Sequence, residues 1–557
     1  MTQREPGLWR WHLGAFGLYA ALAAVFIWHG APLTSDILGS GSDPFAFVWF
    51  LAWWPWAIAH HLDPIYTHLV WQPLGVDLAW VTAVPLLSFV GLPFTLLSGP
   101  VLTYNLFTVA GPVLSAGMAY LLCLHITRVP SAALIGGALF GFSSYEMGQD
   151  LAPLNLSFTV FVPALLLVTL LRLENRLNRL RFILAAGILL ICQFVTCIEI
   201  FGLIFVFGGV TWLLALLYLA ERRGVVARLF TDGLATAPLV ILAVSPLLVS
   251  MAVHADAVHL PAAWPYYFTA DFLNVFIPNR NNLIGGSLFT GISQNFKGGP
   301  QEQDAYIGLP LLTIIILFAR AQRHAPMGRF LLAILLFLLL CSFGPRLWVD
   351  GRYSDIVLPW MIFVHVPLVS SALPARFALF LSLVVAVIAA LWVASPAPQL
   401  QRRWRLGLGL LAIVFLLPKP HPATPVPASV FFQPGHVSAV LGPNPRILVL
   451  PFAINGPSSL WQAQSGFGFL QTGGYLGFPP AGMQHFAAVG QLFGNFEGPD
   501  FLDDFRAFCA GTKTQYVAAG PGTSAALWTA LAQLNWPARQ IDDVTIFTVP
   551  AAAAPHG

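Results

Sequence analysis

The sequence predicts an α-helical polytopic membrane protein with a small α/β domain at its C-terminal end. Composition is the first observation behind this. Of 557 residues, 57% are hydrophobic and 9% are charged, against roughly 25% charged in soluble domains, and the mean hydropathy is +0.76. The second is recurrence: apolar runs of about 18 residues or more, each long enough to cross about 30 Å of hydrocarbon as a helix, repeat along the chain. The third is a change of texture near Pro418, where short apolar runs begin to alternate with amphipathic ones.

These features also exclude classes. A net charge of +3, thinly spread, does not fit nucleic-acid binding. The five cysteines make no framework. Cys123, Cys192, Cys197 and Cys341 fall in apolar segments, Cys509 stands alone in the C-terminal region, and no pair has metal-ligand spacing. No metal and no cofactor is expected.

Basic clusters set the expected orientation. Arg4 and Arg10, Arg172 to Arg181, Arg222 to Arg228, Arg320 to Arg329, and Arg402 to Arg405 are assigned to the cytoplasm, with a cytoplasmic N-terminus. The segment 12–30, a retained anchor, then crosses outward and delivers a first outer loop, 31–81. Segments 182–198 and 201–219 form a hairpin with Glu199 at its outer tip. Segment 229–253 crosses to a large outer loop, 254–305, and 306–319 returns. Segment 330–343 goes out, 344–373 is an outer loop, 374–394 returns, and 406–417 crosses outward. Between 82 and 171 lie four apolar segments, 82–97, 103–126, 132–144 and 151–171. Both flanks being cytoplasmic, the crossings before Arg172 are even in number. Either 132–171 supplies one net crossing, or the aromatic run 45–61 crosses. The first is favoured, with 45–61 flat in the interface where Trp and Tyr concentrate. The total is then about 11 crossings, otherwise 13.

The transmembrane domain therefore covers 1–417, a Pro-rich linker 418–427, and an extracytoplasmic α/β domain 428–557. Strands are expected at 446–452, 515–519 and 544–549, and helices at 500–509 and 523–535.

The first outer loop holds Asp36, Asp43, Asp63 and Asp77 but neither Lys nor Arg between residues 35 and 80, so it has the character of a site rather than a spacer. Its Gly41-Ser42-Asp43-Pro44 turn is followed by aromatics, and Asp63-Pro64 by Gln72-Pro73-Leu74-Gly75-Val76-Asp77. Further on come Gly141-Phe142-Ser143-Ser144-Tyr145, Glu199, Leu373-Pro374-Ala375-Arg376-Phe377, the strand from Leu448 to Phe452 and Gly473-Gly474-Tyr475. In this order the motifs resemble bacterial multi-pass membrane glycosyltransferases of the GT-C superfamily, over most of the membrane region and the start of the outer domain. The resemblance implies a polyprenyl-phosphate sugar donor, an active site at the outer boundary of the cytoplasmic (inner) membrane and a catalytic acid in the first outer loop. Partners would be the donor, membrane lipids and a glycan, lipid or protein acceptor. The chain lacks the Asp-X-Asp pair of metal-dependent members, so metal-independent transfer of a hexosyl or pentosyl group is expected.

Such a transfer needs a base for the acceptor hydroxyl, a cation for the leaving phosphate and a groove for the lipid. Asp43 is the leading base. The bland alternative, an Asp before Pro opening a helix, is compatible with that role. Asp36 is the second choice. Glu199, an ionisable group between two apolar helices, is the third; otherwise it is a solvated turn. Arg376 offers a planar fork for the donor phosphate, or it snorkels to headgroups. Arg280 and Lys297 are further phosphate candidates. Trp71 and His68 complete the substrate-binding set, against the reading of belt aromatics and interfacial polar groups. Glu146, Gln149 and Asp150 mark a break between apolar runs, lining a cavity or ending a helix. Two other readings share this frame: a transporter or flippase of lipid-linked saccharides, and a non-catalytic envelope assembly protein.

Overall fold

The structure is a computed structural model that describes residues 8–257, 261–366 and 372–550. Arg4 of the first basic cluster, residues 258–260 and 367–371 of two expected outer loops, and the end of the C-terminal domain lie outside the described residues. The described chain falls into two compact units. One comprises Met1–Ala31, Leu106–Val244 and Pro261–Pro422; the other comprises Pro32–Asn105, Ser245–Leu260 and Ala423–Gly557.

The first unit is helical because its segments are long, apolar and almost free of charge. Among the described residues, six helices are long and apolar enough to cross a membrane: Leu8–Trp28, Leu92–Thr127, Leu154–Leu173, Ile198–Tyr218, Ala220–Val253 and Pro374–Ala394. Leu309–Gln322 and Pro326–Ser342 are apolar but shorter. The expected segments form helices of unequal length, for local reasons. The break expected between 82–97 and 103–126 falls at Gly99, whose non-helical φ of 86° divides the stretch Leu92–Thr127 into two helices. The segment at 132–144 yields only the 12-residue helix Pro130–Gly141. Arg179–Phe194 carries arginines in its first turn and runs 16 residues.

The helix Phe377–Ala394 has no charged residue and is buried along nearly all its length. Small residues let its neighbours close on it. A β-carbon at Gly136 would stand 2.6 Å from Cys123 Sγ and 3.2 Å from Ala390 Cβ, the close backbone approach that small residues permit between membrane helices.

The second unit is built on a five-stranded sheet. Its order is Ala538–Ile541, Val544–Thr548, Tyr516–Ala519, Arg446–Leu450, Leu470–Gln471. The first two pairings are antiparallel and the last two parallel. Four consecutive residues of Arg446–Leu450 are buried, as befits a parallel strand covered on both faces. Ile447, Val449, Ala518, Val544 and Ile546 meet Phe431, Phe432, Trp461 and Phe469 in its core.

The chain between residues 32 and 105 packs in this same unit. Asp36–Leu38 pairs antiparallel with Ala423–Pro425, so part of the expected Pro-rich linker is a strand. The aromatic run forms the helix Asp43–Ala59. Trp49 Nε1 donates to Gln462 Oε1 at 2.8 Å, and Trp49 stacks on Trp53 at 5.1 Å. Trp53, Trp54 and Trp71 are 1%, 5% and 0% exposed. They are core residues of this unit, where a belt of interfacial aromatics was the alternative expected.

Asn105, fully buried, ties this loop down. Its Nδ2 donates to Leu33 O at 2.8 Å and Asp36 O at 2.7 Å, and its Oδ1 accepts from Leu38 N at 3.0 Å. Asn105→Ala leaves three backbone groups unpaired. A loss of about 1–3 kcal/mol is expected, read as a lower midpoint of thermal inactivation in membranes.

Candidate active site

Asp43 is the first residue of the helix Asp43–Ala59, and Pro44 follows with φ already set for a helix. A carboxylate there meets the positive end of the helix dipole. The turn before it is fixed by Gly41 at φ 83° and by the Ser42 hydroxyl, which donates to the carbonyl of Ile454. Tyr475 Oη donates to Asp43 Oδ1 at 2.5 Å. Ser459 Oγ donates to the Tyr475 carbonyl at 2.6 Å. Burial, and then the Asp43 charge, push the Tyr475 phenol well above its ordinary range. It therefore keeps its proton and acts as the donor. A carboxylate oriented by a permanent donor is suited to taking a proton from a hydroxyl.

Asp36 lies in the strand Asp36–Leu38, with Ser35 Oγ 3.5 Å from its Oδ1. Its carbonyl is held by Asn105. Trp71 stacks parallel to Phe493 at 6.3 Å and meets Phe452 edge-on at 5.9 Å. His68 is exposed, 5.1 Å from the Tyr66 ring.

In the helical unit, two candidates meet. Glu199 sits in the first turn of Ile198–Tyr218, and Arg376 ends the short helix Pro374–Arg376. Arg376 Nη1 donates to Glu199 Oε2 at 3.0 Å. Its Nε and Nη2 donate to the two oxygens of Glu302 at 3.1 and 2.8 Å, the fork that guanidinium and carboxylate share. Leu373 N donates to Glu199 Oε1 at 3.0 Å.

The cluster extends further. Gln149 Nε2 donates to Asp304 Oδ2 at 2.8 Å and to Gln301 O at 2.7 Å. The Thr159 hydroxyl donates to Glu146, and His421 Nε2 lies 3.2 Å from Asp150 Oδ2. Burial pushes the carboxyls of Glu146 and Asp304 well above their ordinary range. Arg280 is exposed beside Asn279, whose Nδ2 donates to Gln303 O at 2.9 Å. Lys297 Nζ stands 5.8 Å over the Trp348 ring.

Sequence reasoning placed Glu199 and Arg376 on the list but missed Glu302 and Asp304, their partners in one cluster. The signal was there: two acids in three residues just before an apolar helix, in a chain only 9% charged. Tyr475 entered only as part of a motif, and Gln462 and Asn105 gave no signal, because a lone amide in an apolar stretch has many readings.

No family model and no curated protein matches the sequence. Solved structures do match. The arabinofuranosyltransferase AftD from Mycobacteria superposes on 97% of the chain with a TM-score of 0.57 and 14% identity. The chain spans 40% of that protein's length. The oligosaccharyltransferase of Archaeoglobus fulgidus, in its apo form, matches 96% of the chain and 72% of its own, with a TM-score of 0.51 and 12% identity. The oligosaccharyltransferase AglB from Archaeoglobus fulgidus, in complex with an inhibitory peptide and a dolichol-phosphate, matches 99% of the chain and 76% of its own, at 0.51 and 13% identity. These neighbours are GT-C glycosyltransferases. The chain is thus a polytopic, mostly helical membrane protein with the GT-C fold.

Proposed function

We propose that this chain is an integral membrane glycosyltransferase that moves a sugar from a polyprenyl-phosphate donor to an acceptor at the outer face of the cytoplasmic membrane. The observation that carries this reading is the Asp43 carboxylate, oriented by Tyr475 at 2.5 Å at the opening of a helix in a chain with this fold. A neighbour of the same fold holding a dolichol-phosphate supports the donor class. Asp43 takes the proton of the acceptor hydroxyl, whose oxygen bonds to the anomeric carbon. The bond from that carbon to the phosphate oxygen breaks, and the lipid phosphate leaves with the electron pair. Arg280 and Lys297 are proposed as phosphate ligands on their chemistry alone. Arg376 commits its fork to Glu199 and Glu302, which favours a role in positioning. The first loop has no Asp-X-Asp pair, so the transfer is proposed to be metal-independent.

The test is transfer of label from polyprenyl-phosphate sugars in membranes holding the full chain, with and without EDTA. Transfer that persists in EDTA is expected. Tyr475→Phe should lower kcat about tenfold with KM unchanged, the effect of one lost hydrogen bond to a charged group. Failure of the wild type with every donor would remove the transferase reading in favour of transport.

A further inference from the structure

A cavity of about 590 Å³ lies at the short hairpin Tyr66–Thr67 with Val76–Asp77. Its aromatic and polar lining is Trp53, Asp63, Tyr66, Thr67, His68 and His254. The volume falls in the range of about 300–1,000 Å³ typical of small-molecule sites. Trp53 stands ten residues along the helix that Asp43 opens, about 15 Å at the rise of an α-helix. The cavity is therefore a place apart from Asp43.

Its histidine is oriented. The Asp77 carboxylate is 4% exposed and accepts from Ser250 Oγ at 2.7 Å and from Ala79 N at 2.8 Å. His254 Nδ1 is 2.7 Å from Asp77 Oδ2 and 3.1 Å from the Ser250 carbonyl. Both neighbours only accept, so Nδ1 carries the proton. In the neutral ring Nε2 is then an acceptor, on a side chain 33% exposed. Tyr66 packs against both imidazoles, 4.8 Å from His254 and 5.1 Å from His68. The wall is kept close by Gly75, at φ 88°, where a β-carbon would stand 2.9 Å from His68 Nδ1.

Among the described residues the lining offers the half-buried Tyr66 ring, the His68 and His254 imidazoles and the Asp63 carboxylate, and neither Lys nor Arg. A phosphate finds no permanent cation there. A neutral sugar ring finds an apolar face for its own and acceptors for its hydroxyls. We propose that this cavity is a carbohydrate subsite that grips an unreacting sugar ring of the acceptor glycan, remote from the bond being made. Only the word acceptor rests on the transferase reading.

The test uses the purified full chain in lipid nanodiscs, with short uncharged oligosaccharides of the gluco, manno, galacto and arabino series as probes and tryptophan fluorescence as readout. Saturable binding of at least one series is expected. It should weaken about tenfold in His254→Ala, as for one lost hydrogen bond, recover in part in His254→Gln, and weaken in the exposed His68→Ala. Binding by none of the series would overturn the proposal. So would wild-type binding in both His254→Ala and His68→Ala, and so would polyprenyl phosphate binding that depends on His254. Saccharide binding that follows His254 in a chain that transfers no sugar supports the subsite and removes only the transferase reading.

Discussion

Asp43→Asn is expected to lower sugar transfer about 10²–10⁴-fold in kcat, the usual contribution of a positioned general base. The substitution is well chosen because it separates chemistry from folding. Asn matches Asp in size and shape, and Pro44 still follows it. The amide oxygen can still accept from Tyr475, which donates to Asp43 Oδ1 at 2.5 Å. What is lost is the negative charge and the ability to take a proton. Losing that charge at a helix N-terminus costs about 0.3–1 kcal/mol, small against the loss in rate. Donor binding should change little, so kcat falls while KM holds, the pattern of an interaction used only in the transition state. Transfer at the wild-type rate in a correctly inserted variant would remove Asp43 as the base. Asp36 would then be the next to replace, and Glu199 after it, with the reservation that Glu199 is already engaged by Arg376.

The fold was legible wherever one physical signal dominated. The helix ending at Ala394 was expected at 374–394, and Pro374–Ala394 is the most apolar of the six spans, at a hydropathy of 2.7. The expected strands at 446–452, 515–519 and 544–549 appear as Arg446–Leu450, Tyr516–Ala519 and Val544–Thr548, because each is a short apolar run between turn residues. What stayed hidden were the long-range pairings. Asp36–Leu38 with Ala423–Pro425 is a three-residue pairing with too little alternation to announce itself. Trp49 with Gln462 joins residues 413 apart in the chain. Charge was informative in part: Glu199 and Arg376 each stood out as ionisable groups among apolar neighbours, and each was assigned a separate task. Their meeting depends on how helices pack, which periodicity does not encode.

Arg376→Met is expected to be the most destabilising of these changes, by about 3–5 kcal/mol, the cost of removing one partner from a buried ion pair. Arg376 is 7% exposed, and all three of its nitrogens donate to carboxylates of Glu199 and Glu302. Without it, two anions face each other with no countercharge, and Glu302, its side chain only 10% exposed, has little water to turn to. Arg376→Lys keeps the charge but not the fork, so an intermediate loss is expected. The decisive comparison is the triple variant Glu199→Gln, Glu302→Gln, Arg376→Met, which removes the charges together. It should regain most of the lost stability, because a buried pair replaced as a whole is often neutral. The measurement is the midpoint of thermal inactivation of the full chain in membranes, followed by loss of the soluble, monodisperse fraction after extraction. A positioning role predicts that stability follows the count of unpaired charges across the three variants. If Arg376→Met instead inactivates at the wild-type midpoint while KM for the polyprenyl-phosphate donor rises, the arginine belongs to the donor phosphate, and the two glutamates are what hold it ready in the donor's absence.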